Sequence, residues 1–139
     1  MDVVVGFTHS ARDHAVIERA TEECRLRAAG LHVVCYAGGD GVNPQSVDAA
    51  LKRVEQVRRA VDEVVDKVRA DGVECTPHVV TEPGRHPADV LLEVADQVGA
   101  DLVVVGIRHR TKVGKAFLGS NAQEVLLRAA APVLAVKVD

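Results

Sequence analysis

"VVVGIRHRTKVGKAFLGSNAQEV", residues 103–125, passes from an apolar run through a basic loop into a helix start. Val103, Val104 and Val105 leave no polar position for a wet side. The run therefore reads as a strand buried on both faces, as in a parallel sheet covered by helices. Directly after it stand Arg108, His109, Arg110, Lys112 and Lys115 within eight residues, in a chain of formal net charge −3. Cations gathered at the end of a buried strand call for something negative. The stretch closes on Gly119-Ser120 with Gln123 three residues beyond the serine, a capping-box spacing that predicts a helix from Ser120.

Four more β-rich runs flank this one: Val3 to Phe7, His32 to Tyr36, Val73 to Val80 and Val133 to Val138. Helical periodicity fills the gaps. Ser10 and Asp13 have the capping-box spacing ahead of Ala15, Val16 and Ala20, and predict a first helix that ends before Gly30. Asn43-Pro44 predicts the start of a second. Its stripe of Val47, Leu51, Val54, Val57, Val61, Val64, Val65 and Val68 is amphipathic, and Gly72 ends it. A third helix begins near Pro87. The alternation βαβαβαβαβ predicts an α/β fold in one domain, residues 1–139: a doubly wound open sheet of five mostly parallel strands, order 3-2-1-4-5, with helices on both faces. In such a sheet the ligand crevice opens at the carboxyl ends of strands one and four, where the order reverses. The basic loop follows strand four.

The 139 residues suffice for one core burying about two-thirds of the unfolded surface. Hydrophobic residues make up 47% and aromatics only 2% (Phe7, Tyr36, Phe117), so the core is aliphatic. A chain this poor in aromatic platforms is not a binder of single-stranded nucleic acid. It shows no signal peptide and no apolar run of membrane-spanning length, which predicts a cytoplasmic protein that avoids membranes. Cys24, Cys35 and Cys75, odd in number and without a C-x-x-C pair, read as reduced structural thiols. His9 and His109 follow strands one and four, but with no third ligand in sight they read as loop histidines and no metal is expected. No nucleophile stands beside an identifiable base, so no enzyme activity is expected.

Gly119 allows backbone amides to approach a ligand, and a helix start supplies unpaired N–H groups and a positive dipole end. With the cationic loop these suit a phosphate. Gly114-Lys115 is followed by Ala116 and lacks the glycine spacing of a P-loop, and no G-x-G-x-x-G follows strand one. From Gly106 to Ser120 the chain resembles the universal stress protein family, whose signature is commonly Gly-x2-Gly-x9-Gly-Ser/Thr. Gly106, the nine-residue spacer before Gly119, and Gly119-Ser120 match it. The flanks "GADLVVVG", "APVLAV", "LHVV" at Leu31 to Val34 and the G-x-x-P-A of Gly84 to Ala88 resemble the family too, so the resemblance covers the chain.

The resemblance implies a regulatory module that binds ATP or another phosphate anion between strands one and four. The contacting positions carried over are Phe7, Thr8, Val33, Gly106, Arg108, His109, Lys115, Gly119, Ser120 and Asn121, with the stretch from Gly106 to Ser120 around ribose and phosphates. It also implies a homodimer paired through strand five. Two positions depart from the pattern. His109 replaces the second glycine, and Phe7 stands where the family's nucleoside-contacting Asp aligns. The alternative is a nucleotide-free stress or interaction dimer of the same fold.

Overall fold

The computed structural model describes all residues except 9, 11, 40–45, 109–117 and 139. In chain order the elements are β1 (Asp2–Phe7), α1 (Asp13–Arg27), β2 (Gly30–Tyr36), α2 (Val47–Ala70), β3 (Cys75–Val80), α3 (Pro87–Val98), β4 (Leu102–Arg108), α4 (Ser120–Arg128) and β5 (Val133–Val138). The strands form one sheet in the order β3-β2-β1-β4-β5, and every pairing is parallel. This is the order read from the alternation of runs.

The period of two along each strand divides the core into two layers. Val3, Val5 and Phe7 of β1, with Leu31, Val33 and Cys35 of β2, pack against α1 and α2. Val4, Val34, Val103 and Val105 pack on the opposite face with α3 and Val125 of α4. Val3, Val4 and Val5 are all fully buried, so the middle of β1 touches no water on either side. At roughly 1.5–3 kcal/mol for each fully buried valine side chain, the central strands dominate the hydrophobic stabilisation. Cys24, Cys35 and Cys75 are free and buried. Burial above all pushes each thiol up to about 11, so they are protonated, unreactive members of the core.

The structure moves two helix starts and changes the cap of a third. The first helix begins at Asp13 rather than Ser10. The second begins at Val47, capped by Ser46 Oγ, which accepts from Ala49 N at 3.1 Å; Asn43-Pro44 lies outside the described residues. The fourth does include Ser120, but as its first helical residue: Gly119 is the N-cap, and Gln123 Nε2 donates to Leu118 O instead of closing a capping box. The valine stripe of α2 is buried only from Val57 onward, whereas Val47 and Leu51 are exposed. A 24-residue helix is about 36 Å long and a six-residue strand about 20 Å, so the sheet cannot cover the whole stripe.

At the edges, β3 carries Pro77. Leu31 N donates to Glu74 O and Ala37 N to Val80 O, so the even-numbered residues of β3 bond β2. Pro77 therefore lacks its N–H on the outer side, where the ladder does not need it. The opposite edge, β5, is half-buried along most of its length.

Candidate functional site

At the carboxyl ends of β1 and β4 the sheet opens into a cleft of about 450 Å³. Phe7, Thr8, Ser10 and Asp13 form one wall, Gly106, Ile107 and Arg108 another, with Val34 and Tyr36 of β2 also lining it. Pro87 and Ala88 at the start of α3, and Asn121 and Ala122 at the start of α4, complete it. Three helices thus begin at one space, each contributing the positive end of its dipole. A second cleft of about 480 Å³ lies between α1 and α2, but no helix start other than that of α1 adjoins it, and Glu18, Glu63, Lys67 and Asp71 ring it. The convergence of dipoles, not size, marks the first.

The turn after β1 is organised by Asp13, which is 7% exposed. Its Oδ2 accepts from Thr8 N at 2.8 Å, Thr8 Oγ1 at 2.9 Å and Ser10 N at 3.1 Å. The reach of Asp13 back to Ser10 is the half of the capping box that forms. Ser10 Oγ accepts from Arg12 N, at 3.3 Å, rather than from Asp13 N. The chain's own carboxylate therefore occupies the donors at this turn, and Oδ1 has no hydrogen bond among the described residues. Asp13 is also the only carboxylate of the cleft among those residues.

The turn before α4 is built the other way. Gly119 makes no side-chain cap, and no negatively charged residue stands in the first turn of the helix. The amides of Ser120, Asn121 and Ala122 have no partner among the described residues, and Asn121 and Ala122 line the same cleft as Arg108. Asn121 also serves the neighbouring helix, because its Oδ1 accepts from Ala88 N at 3.3 Å and supplies to α3 the cap that His86 does not. The two helix starts are thereby held together.

On the β2 side, the Tyr36 hydroxyl lies 2.7 Å from both Gly39 O and Glu82 O and accepts from Arg85 N at 3.0 Å. It laces the loop after β2 to the loop after β3. The two loops run so close that a Cβ on Gly38 would fall 2.2 Å from Glu82 O.

Of the positions expected to touch a ligand, the structure gathers Phe7, Thr8, Gly106, Arg108 and Asn121 around the cleft. Gly119 and Ser120 begin the adjoining helix. His109 and Lys115 lie outside the described residues, as does His9. Val33 is fully buried in the layer under α1 and α2, and its side chain is not part of the lining. Phe7 borders the cleft, yet its ring belongs to that same layer, at 7% exposure. Gly106 has a packing reason of its own: a Cβ there would meet Val16 Cγ2 at 2.8 Å, so glycine lets α1 settle onto β4. Sequence reading missed Asp13 as the cleft's carboxylate, Tyr36 as the loop tie and the side chain of Asn121 as a cap. Only Asp13 left a signal, its spacing from Ser10.

The universal stress protein family model matches residues 1–137. The chain is 38% identical over 136 residues to a universal stress protein of Mycolicibacterium smegmatis, covering 97% of this chain and 96% of that one. Its fold superposes on a universal stress protein of Archaeoglobus fulgidus solved in complex with dAMP, with TM-score 0.74, 28% identity and coverage of 100% and 98%. A universal stress protein solved in complex with cAMP matches with TM-score 0.70, 28% identity and the same coverage. No described helix is long and apolar enough to cross a membrane. With sheet order, cleft position and full-length similarity in agreement, the chain belongs to the universal stress protein family.

Proposed function

We propose that this chain is a nucleotide-binding regulatory module that holds ATP or a related adenine nucleotide in the cleft between β1 and β4. The observation that carries the reading is the uncapped start of α4, whose amides face a cleft lined by Arg108. Free N–H groups, a positive dipole end and a guanidinium favour a phosphate together. A cleft of about 450 Å³ falls within the range of small-ligand sites. Relatives solved with dAMP and cAMP support the ligand class. Among the described residues no lining group is arranged as nucleophile and base, and we assign the module binding rather than catalysis. Three buried free thiols suit a reducing compartment, and we place the chain in the cytoplasm.

The nucleotide-free reading keeps one observation in its favour. Phe7 lies in the core layer, and the donors after β1 are already taken by Asp13. Under either reading the assembly we propose is a homodimer through β5, whose outer edge is unpaired within the chain. Calorimetric titration with ATP, ADP, cAMP and sulfate at low ionic strength tests the ligand. Binding that weakens as salt rises supports the nucleotide site. No binding at millimolar ligand overturns it in favour of the nucleotide-free module. Light scattering of wild type and Val136→Pro tests the dimer, and a wild-type monomer at about 100 μM, where a micromolar dimer would persist, refutes it.

A further inference from the structure

On the face of the sheet that carries α3, three side chains from neighbouring strands form a line of hydrogen bonds. His32 Nε2 lies 2.9 Å from Asp2 Oδ1, and His32 Nδ1 lies 2.9 Å from His78 Nε2. Asp2 N in turn donates to Asp101 Oδ2 at 2.9 Å. The His32 side chain is 14% exposed, so water does not readily replace either partner. The register places Val34 directly beside His78, so the line runs diagonally from the amino edge of β1 to the outer strand β3. The cleft plays no part in it.

The hydrogens follow from the partners. A carboxylate only accepts, so His32 Nε2 carries a hydrogen. In the neutral ring Nδ1 is then a lone pair, and the hydrogen in the gap to the second ring belongs to His78 Nε2. The ring centroids are 5.1 Å apart and the planes are inclined by 37°. That separation is nearly the N···N distance plus the two ring radii, so the nitrogens face each other head-on across a shared hydrogen. Lone pairs converging on a metal would meet at an angle, and no cluster of three metal-ligating side chains occurs among the described residues.

We propose that Asp2, His32 and His78 form a relay that takes up one proton without breaking, but not two, and so makes the attachment of β3 pH-sensitive. The first proton adds at His78 Nδ1. The hydrogen on His78 Nε2 passes to His32 Nδ1, its N–H bond breaking as the new one forms. His32 is then an imidazolium donating to Asp2 on one side and to the freed His78 Nε2 lone pair on the other. Every link is kept and the positive charge rests beside a carboxylate. A second proton gives two imidazolium rings with N–H facing N–H at this spacing, and β3 must separate from β2 or the rings must turn. Among the described residues the charged groups beside the line are Asp2 of β1, Asp101 before β4, Glu74 at the foot of β3, whose carboxylate lies over Gly30 in the row of Asp2, and the two histidines; from α3 this layer receives apolar side chains, Leu91, Val94 and Ala95 among them. Burial first, then His32, lowers the pKa of His78. The folded chain therefore binds fewer protons there than the unfolded one. That stability is complete above the unfolded histidine value of about 6.5 and is lost as pH falls from it toward the folded value.

Long-range proton–nitrogen NMR of the imidazoles, followed from pH 8.5 to 4.5 on the full chain, tests this. Both rings are expected as Nε2–H tautomers at high pH, with His78 changing to Nδ1–H in the first step. A second step follows at least about one pH unit lower, with faster amide exchange at His78 and Val80. Asp2→Asn, at a half-buried position, should move the first step to lower pH, and His78→Ala should abolish the acid-induced exchange in β3. Two rings titrating together and indifferent to Asp2→Asn would overturn the relay, as would β3 exchange that persists in His78→Ala.

Discussion

The starts of α1 and α4 both adjoin the cleft where strand order reverses, yet they treat negative charge oppositely. After β1 the chain supplies its own anion: Asp13 fills three donors and is itself buried. Before α4 it supplies none, and the first-turn amides face an open cleft. The lesson is one of competition. A tethered carboxylate costs no translational entropy to bind, so an anion from solution loses to it at the first turn and meets no rival at the second.

The comparison is broken most severely by Phe7→Asp, the change the family pattern suggests as a restoration. With the ring in the layer under α1 and α2, a carboxylate there is desolvated without a partner, and a loss above about 3 kcal/mol is expected in urea unfolding. A variant that is as stable as wild type would show that position 7 belongs to the cleft instead. Asp13→Ala should cost about 2–3 kcal/mol by orphaning charge-assisted bonds. It should also create a second sulfate site, raising the stoichiometry in calorimetry; unchanged stoichiometry would mean the first turn is no anion site even when vacated. Gly106→Ala, which forces a methyl against Val16, should cost about 1–2 kcal/mol, and pairing it with Val16→Ala should recover most of this. Failure of the pair to recover would assign Gly106 to something other than helix packing. Smallest is Arg108→Ala, expected to weaken sulfate and ATP by several-fold, about 1 kcal/mol, with a shallower salt dependence and an unchanged melting temperature.

The sheet was legible because its signal is local. Val3 to Val5 and Val103 to Val105 are apolar at every position, and only a strand covered on both faces asks for that. The helix starts were less legible because their caps come from elsewhere. The α3 cap arrives from Asn121, 33 residues downstream of the amide it bonds. Asp13 has the correct spacing from Ser10, but its two bonds to Thr8 are invisible to a spacing rule. Val33 matched a family stretch, yet whether a strand residue faces ligand or core depends on register, and register places it inward. The histidine line joins residues 46 apart, and nothing local to His32 or His78 announces it.

Pro77 has a consequence at the scale of many molecules. A parallel sheet with two free edges can grow without limit, each new copy offering the next a fresh template. Here only β5 is a usable template, because β3 presents a ring instead of a donor in mid-strand. In the dimer proposed above, a copy joined at β5 would bring its own blocked strand to the far side, and growth would end at two. The chain can leave one edge available for association and still be protected from fibre formation by a single residue on the other.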